Sequence, residues 1–371
     1  MRADPDVHQR LERAAAHVGI DTQRRLDEIR GVGERRHRAR RIQALAVAAV
    51  IGILAVFVAW QLRFSDGRSP VPGATAGPTG RIAYVAVREG SRDLLVVDAA
   101  SNDTSALDAA SRSASWAQWS PDGSRLASVL EGPGPRSTIV VSRADGSDPV
   151  TIVDEQDTGA VGPDLLNLSW SPDGTQIAYS GRKLRRGVAR RTIIIVNADG
   201  SGRPTVLDGL WVWVSWSHDG RRLLVAGFPD SEAEAARFDL YTVRPDGSGL
   251  VQLTDDQPEE HSPSWSPDGG RIVFSEGGDY DQDVYVMDAD GSDVHKLTDW
   301  GGFDGVPVWS PDGAWIAFTS DRGATPRQQE VNRTGEGVSG FEIYVMRPDG
   351  SDVRRFLGED GSLLYPMSWV R

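Results

Sequence analysis

The chain has 371 residues, of which 39% are apolar and 25% are charged, and it contains no cysteine. The lack of cysteine excludes disulfide bonds, thiolate metal ligands and a cysteine nucleophile. A chain of this length and aromatic content buries a sizeable core, which excludes wholesale disorder. Its length predicts either two or three average domains or one large repeat domain.

The net charge of −13 hides a difference between the two ends of the chain. Residues 1–41 contain 11 Arg and 7 acidic residues, a charge of +4, whereas residues 63–371 contain 29 basic and 46 acidic residues, a charge of −17. Because the larger part repels phosphate backbones, we expect no nucleic-acid partner.

An uncharged run of 21 residues, 42–62, separates these two parts. As a helix it spans about 31 Å, which matches a hydrocarbon core of about 30 Å. Five arginines stand just before it: Arg35, Arg36, Arg38, Arg40 and Arg41. By the positive-inside rule, the run predicts a retained transmembrane helix in a bacterial cell membrane, with a cytoplasmic N-terminus and everything after Leu62 outside. The run is longer than the apolar region of a cleaved signal peptide.

The segments on either side of this helix differ in character. Residues 1–41 place Val7, Leu11, Ala14 and Val18 at a helical period, which predicts a short amphipathic helix. This segment is either a topogenic tail beside anionic lipid or a binding segment for a cytoplasmic regulator, as in an anti-sigma protein. Residues 63–79 are rich in Gly, Pro and Ser and predict a flexible linker.

A W-S-P-D-G motif recurs through the rest of the chain, once as W-S-H-D-G and finally as S-W-V-R. Its tryptophans are Trp119, Trp170, Trp216, Trp265, Trp309 and Trp369, and its glycines are Gly123, Gly174, Gly220, Gly269 and Gly313. Pro presets φ and Gly accepts a positive φ, so the motif predicts a tight turn between two strands. The tryptophans are 44 to 60 residues apart, which suits one four-stranded propeller blade per repeat.

Each turn is followed by a strand such as RIVFS, a third strand such as DVYVM, a second Asp-Gly turn and a short outer strand such as HKLT. The first repeat, from Arg81, has no strand bearing the Trp, and the segment YPMSW at 365–369 supplies one. We therefore predict an all-β, six-bladed propeller over residues 80–371, closed by pairing of the C-terminal strand with the first blade. Closure removes the open sheet edges.

The W-S-P-D-G, I-A-F, I-Y-V-M and D-G-S sequences resemble the WD-like repeat of the TolB-type six-bladed propellers over residues 81–371. Similar repeats occur in the propellers attached to prolyl oligopeptidase and dipeptidyl peptidase domains, so the resemblance implies architecture more than activity. TolB carries an α/β domain ahead of its propeller, and here the inner segment and membrane helix replace it.

Enzymatic activity is not expected. The peptidase relatives need an α/β-hydrolase domain with a G-x-S-x-G elbow, which this chain lacks, and it ends two residues after Trp369. The outer histidines, His218, His261 and His295, fall in separate elements, which argues against a shared catalytic site. The segment 288–293, DADGSD, partly mimics a calcium loop, but the equivalent turns begin with Arg or Asn, so we predict a structural turn and neither metal nor cofactor.

The face opposite the W-S-P-D-G turns is the candidate binding site, because variable loops on a rigid scaffold usually carry binding. Its inter-blade loops predict an acidic ring around the channel mouth: Asp154, Glu155, Asp157, Asp164, Asp255, Asp256, Glu259, Glu260, Asp299, Asp304, Glu359 and Asp360. In the third blade, a loop at 181–191 is positively charged instead, with six basic residues that include Lys183, Arg185 and Arg186. A long polar loop at 320–340 adds to the sixth blade. The alternative is a solvated acidic rim.

These features predict a single-pass, membrane-anchored propeller outside the cytoplasm that serves as a binding or scaffold module of the bacterial cell envelope. The expected partner on the loop-bearing face is a protein, a peptide or a cation. Two alternatives stay open. One is a transmembrane signalling protein whose segment 1–41 holds a regulator, and the other is a metal-dependent hydrolase that uses carboxylates in the channel.

Overall fold

The computed structural model describes residues 77–88, 91–107, 114–131, 137–154, 167–185, 188–207, 209–229, 238–255, 259–278, 280–334, 340–358 and 363–371. The chain divides into two units between Thr75 and Ala76, and all of these residues belong to the second. The N-terminal segment 1–41, the membrane helix 42–62 and most of the linker 63–79 lie outside the described residues and stay predictions. Within the described ranges, no helix is both long and apolar enough to span a bilayer.

The described residues form six antiparallel sheets of four strands, here called blades 1 to 6. Blade 1 contains β1 (Arg81–Arg88), β2 (Ser91–Asp98), β3 (Thr104–Ala106) and the last strand, β24 (Leu363–Val370). Blade 2 contains β4 (Ala114–Trp119), β5 (Arg125–Glu131), β6 (Ser137–Arg143) and β7 (Val150–Asp154). Blade 3 contains β8 (Leu168–Trp170), β9 (Gln176–Arg185), β10 (Val188–Asn197) and β11 (Thr205–Leu207).

The other three blades follow the same order. Blade 4 contains β12 (Leu210–Trp216), β13 (Leu223–Phe228), β14 (Asp239–Val243) and β15 (Val251–Gln252). Blade 5 contains β16 (Glu260–Trp265), β17 (Arg271–Gly278), β18 (Asp281–Asp288) and β19 (His295–Lys296). Blade 6 contains β20 (Asp304–Trp309), β21 (Ile316–Ser320), the helix α1 (Pro326–Thr334), β22 (Glu342–Met346) and β23 (Arg354–Leu357). The predicted all-β, six-bladed propeller is confirmed.

The strand that carries the repeat Trp lies at one edge of each sheet, and these six inner strands are β24, β4, β8, β12, β16 and β20. Each contacts the inner strands of both neighbouring blades, so the six form a ring around a central axis. The apolar core lies between blades. One cluster, for example, joins Ile82 of blade 1 to Trp315 and Ile343 of blade 6.

The C-terminal strand closes the ring. β24 pairs antiparallel with β1, which places Ile82 opposite Trp369 and Arg81 opposite Val370. The indole N–H of Trp369 also donates a 2.8 Å hydrogen bond to the carbonyl of Thr79, just before β1. The C-terminal segment therefore supplies the inner strand of blade 1, as its sequence predicts.

The W-S-P-D-G turns share one hydrogen-bond network, seen in the turn after β16. Ser266 Oγ donates to Asp268 Oδ1 at 2.5 Å and accepts the backbone N–H of Arg271 at 2.9 Å. Gly269 adopts a φ of +71°, a conformation that favours glycine. The same serine bonds recur in the turns after β4, β8, β12 and β20. Each copy of the motif therefore forms the same turn with its own serine and aspartate.

Both kinds of turn lie on one face of the ring. The backbone N–H of Ala144, in the second turn of blade 2, donates to the carbonyl of Ser124, in the first turn, at 3.0 Å. The equivalent bond joins Ala289 to Gly270 in blade 5 at 3.0 Å. We call this side the turn face and the opposite side, which carries the inter-blade segments, the loop face. This arrangement agrees with the prediction.

Arginines at the start of the second strands join neighbouring blades. The guanidinium of Arg81 lies 4.9 Å from the ring centroid of Trp119, and that of Arg271 lies 5.0 Å from the ring of Trp309. Arg125 lies 4.7 Å from the ring of Trp170 and also donates to the carbonyl of Gly174 at 2.6 Å. In each case the arginine belongs to one blade and the tryptophan to the next.

Two predicted loops are regular structure instead. Residues 326–334 of the supposed loop 320–340 form α1, because Thr325-Pro326-Arg327-Gln328 is a capping box. Gln328 Oε1 accepts the backbone N–H of Thr325 at 2.8 Å, and Thr325 Oγ1 accepts that of Gln328 at 3.4 Å. In the basic segment 181–191, β9 and β10 extend as a hairpin in which Arg185 lies opposite Val188.

Candidate functional site

A cavity of about 550 Å³ lies on the axis of the ring. Every inner strand contributes to its lining, through residues that include Gln118, Leu168, Ser215, Ser264, Val308 and Ser368. Turn residues such as Pro121 and Pro267 also line the cavity, so it reaches the turn face. None of the predicted acidic ring is among the lining residues. The cavity therefore lies at the opposite end of the axis from the predicted site.

Two tryptophans that are not repeat tryptophans form part of the cavity wall. The rings of Trp116 and Trp213 make an edge contact, with centroids 5.6 Å apart at an angle of 61°. Each stands three residues before a repeat Trp, and each follows a break in strand register, between Ala114 and Trp116 and between Trp211 and Trp213. Such bulges redirect side chains, here toward the axis.

The equivalent positions of blades 5 and 6 carry strained backbone. Ser262 and Val306 have φ values of +50° and +52°, and both lie in the lining of the cavity. Each lies at a break in strand register and precedes a proline, Pro263 or Pro307. A positive φ is costly for a β-branched residue such as Val306, and such strain concentrates at binding sites.

The mouth of the cavity departs from the repeat at two points. Pro occupies the third position of four turns, but His218 stands there in blade 4 and Arg371 takes the corresponding place after Trp369 in blade 1. Both line the cavity. The neighbouring turn carboxylates are engaged locally, as in Asp122, whose pKa the Ser120 and Ser124 hydroxyls lower to about 2.

The lining favours an uncharged ligand segment. Tryptophan rings and prolines provide flat apolar contacts, while serine hydroxyls provide hydrogen bonds without fixed charge. Asn167 and Gln118 also line the cavity, where they bond the backbone of Val214 and Trp170. Charged and titratable side chains in the lining are Asp122, His218 and Arg371, all contributed by the turn face. Pockets of this volume and composition are typical ligand sites.

The predicted acidic residues that the structure describes lie on the loop face, in several different blades. Asp154 ends β7, Asp255 and Asp299 follow the outer strands β15 and β19, and Glu259 and Glu260 stand at the start of β16, as Asp304 does in β20. Lys183 and Arg185 belong to β9. The remaining predictions lie outside the described residues: Glu155, Asp157, Asp164, Asp256, Glu359, Asp360 and Arg186. A binding role for any of them stays a prediction.

Two residues of the predicted acidic ring, Asp304 and Glu260, are buried, so the prediction that they line an exposed channel mouth is wrong for them. The side chain of Asp304 is fully buried, and Arg322 Nη2 donates to its Oδ2 at 2.5 Å. Burial raises the pKa of Asp304, and the Arg322 charge opposes that rise. Arg322 also lies over the rings of Trp300, Phe318 and Tyr344. This carboxylate therefore anchors an arginine inside blade 6.

Glu260 occupies the position in blade 5 that Asp304 occupies in blade 6. It is 1% exposed, and burial, reinforced by the Asp239 carboxylate, raises its pKa to about 8. The strand register places Glu276 directly opposite Glu260, whereas Ser320 lies opposite Asp304. Glu260 Oε2 has no hydrogen-bond partner among the described residues. At neutral pH this carboxyl is therefore largely protonated.

In contrast to Asp304 and Glu260, Asp299 is exposed on the loop face. Lys296 Nζ lies 2.7 Å from Asp299 Oδ1 and 2.7 Å from Asp283 Oδ2, so it bridges the two carboxylates. The hydrogen bond from Lys296 lowers the pKa of Asp299, and its two acidic partners raise the pKa of Lys296. The residue keeps its charge on the surface of the loop face.

The comparisons agree with this geometry. Residues 182–362 match the family model described as the TolB beta propeller domain. The chain is a six-bladed propeller, and this part of it resembles the TolB propeller family. TolB from Acinetobacter baumannii has a similar crystal structure, with a TM-score of 0.61, 17% identity and coverage of 78% of this chain and 66% of that one. For the putative TolB from Agrobacterium tumefaciens the TM-score is 0.54 at 21% identity, with coverage of 78% and 93%.

Part of the propeller is also similar to two curated proteins named dipeptidyl-peptidase 5. The protein from Porphyromonas gingivalis is 45% identical over 65 residues, which cover 17% of this chain and 10% of that protein. The protein from Porphyromonas endodontalis is 30% identical over 112 residues, which cover 29% and 16%. The chain thus spans about a tenth to a sixth of the length of these relatives.

The sequence contains signals for the cavity and surface residues of the propeller that the repeat pattern did not predict. Trp116 and Trp213 appear in S-W-A-Q-W and W-V-S-W, where a second tryptophan precedes the repeat Trp by three residues. Trp300 lies outside the repeat pattern altogether, and the structure leaves it 43% exposed. A tryptophan that the repeat does not need is a candidate for binding.

Proposed function

We propose that this chain is a binding module of the bacterial cell envelope, anchored by residues 42–62, whose propeller holds an uncharged segment of a protein partner in its central cavity. The observation that carries the proposal is the cavity itself, to which all six inner strands contribute. Because the ring is closed at β1 and β24, the cavity keeps a constant shape. The protein therefore loses little conformational entropy on binding.

The chemistry of the lining supports a peptide ligand. Trp116, Trp213 and five prolines offer apolar surface. The hydroxyls of Ser215, Ser262 and Ser264 offer hydrogen bonds to backbone amides. The strained Ser262 and Val306 stand at the same depth. The acidic loop face is a separate surface, so the proposal does not depend on it.

Photocrosslinking tests the cavity. A photoreactive phenylalanine analogue is placed at Ser264, in the lining, or at Val251, on the exposed outer strand of blade 4, in the full chain in its native cells. We expect one partner to crosslink from position 264, and Trp213→Ala to abolish that adduct. Equal adducts from both positions, or adducts that survive Trp213→Ala, would contradict the proposal.

The absence of native cysteine allows a clean test of the anchor. Single cysteines are introduced at Ala16 and at Ser147, and intact spheroplasts are treated with a membrane-impermeant maleimide. We expect labelling only at position 147. Labelling of both positions would remove the anchor from the proposal and leave the cavity test unaffected.

The signalling alternative rests on the amphipathic pattern of residues 1–41. A bait of residues 1–62 and a bait of residues 42–371, each crosslinked in native membranes, separate the two functions. Capture of a transcription regulator by the first bait alone favours the transducer and makes the propeller its sensor.

The dipeptidyl-peptidase relatives raise a second candidate, association with peptide hydrolysis. What supports it is sequence similarity over short stretches, and the proposal above includes no catalysis. Incubation of the purified chain with a chromogenic dipeptidyl substrate tests this, with a Trp213→Ala variant as control. Turnover that a serine-hydrolase inhibitor blocks would replace the binding module with an enzyme.

A further inference from the structure

A second surface lies on the loop face between blades 5 and 6, away from the cavity. Two exposed aromatic side chains stand there, Trp300 after β19 and Tyr280 before β18, and Tyr280 is 38% exposed. Gln282 and Phe303 form a parallel β-bridge, so the two segments run side by side in the same direction. Counting back two residues from this bridge places Tyr280 alongside Gly301, the residue after Trp300. We call Trp300 and Tyr280 the aromatic pair.

The indole of Trp300 is held in place by buried groups. Its Nε1 donates to Asp321 Oδ1 at 3.2 Å, and the same oxygen accepts the backbone N–H of Phe303 at 3.1 Å. Asp321 is buried. A Cβ at Gly302 would lie 2.5 Å from that oxygen and 2.9 Å from the indole, so only glycine leaves room for this pose. An exposed Trp fixed before binding loses little entropy on contact, as at interface hot spots.

The charges around the aromatic pair are predominantly negative. Asp281 is exposed beside Tyr280, and the Asp299 side chain is 89% exposed beside Trp300. The two cations nearby are already engaged, because Lys296 bridges Asp283 and Asp299 and Arg322 is bound by Asp304. Among the described carboxylates here, Asp281 and Asp299 are exposed, whereas Asp304 and Asp321 are buried.

Aromatic rings flanked by carboxylates suit a cationic side chain. The guanidinium of Arg322 lies 5.5 Å from the ring centroid of Trp300, which shows that this indole accepts a cation against its surface within the fold itself. An incoming Arg or Lys gains a cation–π contact with the ring and an ion pair with a carboxylate. Both terms require a positively charged partner.

We propose that the aromatic pair, with Asp281 and Asp299, is a docking surface for an arginine- or lysine-bearing segment of a partner protein. The cation lies against Trp300 and Tyr280, and the two carboxylates carry the charge complementarity. The site is independent of the central cavity, so a partner held in the cavity and a partner held here bind at opposite faces.

Fluorescence anisotropy of the full chain in nanodiscs tests this proposal. The probe is a labelled, amidated peptide with the sequence Arg-Leu-Arg-Pro-Arg, and the control peptide replaces each Arg by uncharged citrulline. We expect saturable binding of the arginine peptide and at least about tenfold weaker binding of the citrulline peptide. Binding should also weaken between 50 and 300 mM salt. Equal binding of the two peptides overturns the proposal.

Variants locate the site. Trp300→Ala should weaken binding about tenfold or more, Tyr280→Ala and Asp281→Asn by a smaller factor, and Val251→Ala, an exposed apolar side chain on blade 4, should change nothing. Gly302→Ala provides a second route, because the added methyl displaces the indole while keeping it in the chain. Unchanged binding in both Trp300→Ala and Gly302→Ala contradicts the proposal.

The remaining outcomes are separable. If the full chain self-associates and Trp300→Ala makes it monomeric, a second copy occupies the surface and the partner proposal is wrong. Trp213→Ala should leave arginine-peptide binding unchanged, and Trp300→Ala should leave the crosslink from position 264 unchanged. Failure of one site therefore does not imply failure of the other.

Discussion

The backbone N–H of Trp119 donates a 3.0 Å hydrogen bond to the hydroxyl of Ser368, although 249 positions separate the two residues. The bond joins blade 2 to the C-terminal strand of blade 1. The same bond joins Trp216 to Ser169 at 2.9 Å and Trp170 to the Gln118 side chain at 2.9 Å. The seam that closes the ring therefore uses the same contact as ordinary blade junctions.

Removal of that hydroxyl should weaken the seam as much as it weakens an interior junction. We expect Ser368→Ala and Ser169→Ala each to lower the free energy of unfolding by about 1 to 2 kcal/mol, because each leaves a buried N–H without its acceptor. Urea unfolding measures both, and Ser105→Ala on the exposed strand β3 serves as the control. A much larger loss for Ser368→Ala would mark the closure as the weak point of the ring.

Arg125 should stabilise the junction between blades 2 and 3 through its planar shape as well as its charge. Arg125 stacks on Trp170 and donates to the Gly174 carbonyl, so Arg125→Lys loses the planar stacking and the directed bond. We expect a loss of about 1 kcal/mol in thermal or urea unfolding. Arg222→Lys is the matched control, because Arg222 bonds Thr242 within its own blade. Equal losses in the two variants would contradict a role between blades.

The helix α1 depends on its first residues. Thr325→Ala removes the hydroxyl that accepts the N–H of Gln328 and donates to its side chain at 2.7 Å. We expect about 1 kcal/mol of local destabilisation, seen as faster amide hydrogen exchange in residues 326–334. Thr325→Ser should restore protection because it keeps the hydroxyl. Unchanged exchange in Thr325→Ala would show that packing, not the cap, holds the helix.

Repetition explains why the architecture was predictable and the site was not. Each W-S-P-D-G copy encodes a complete turn, since Ser266 and Asp268 satisfy one another and the local backbone. Five such copies and the truncated sixth at Trp369 fix blade number and closure. The cavity instead depends on register breaks near Trp116 and Trp213, which are contacts between strands and leave no local motif.

For the acidic residues, the sequence predicts the face of the propeller but not the burial of each side chain. Their place on the loop face follows from the strand order, whereas their burial depends on contacts that the sequence does not show. Asp304 and Asp299 lie five residues apart in one inter-blade segment, yet one is fully buried against Arg322 and the other is largely exposed beside Lys296. The partner of Asp304 is Arg322, two residues after the end of β21, and sequence spacing does not reveal this pairing. The helix α1 differs from these residues, because its capping box at Thr325 to Gln328 is a local signal that the sequence does contain.

Glu260 should make stability fall as pH rises. Its pKa is about 8 in the folded chain against about 4.5 when unfolded, so the folded state holds a proton that the unfolded state releases between these values. The stabilisation is complete below about pH 4.5 and is lost as pH rises through 8. The Glu260→Gln variant keeps the shape of the protonated acid and removes the titration.

Urea unfolding of the wild type and of Glu260→Gln at pH 5, 6.5 and 8.5 measures this dependence. Relative to the variant, we expect the wild type to lose about 1 to 4 kcal/mol across the range, because each unit of pKa shift corresponds to about 1.4 kcal/mol and neighbouring carboxylates share the effect. The adjacent Glu259→Gln is the control and should run parallel to the wild type. If the Glu260→Gln and wild-type curves are parallel, Glu260 is already ionised in the fold, and a cation must then stand close enough to its carboxylate to offset the burial.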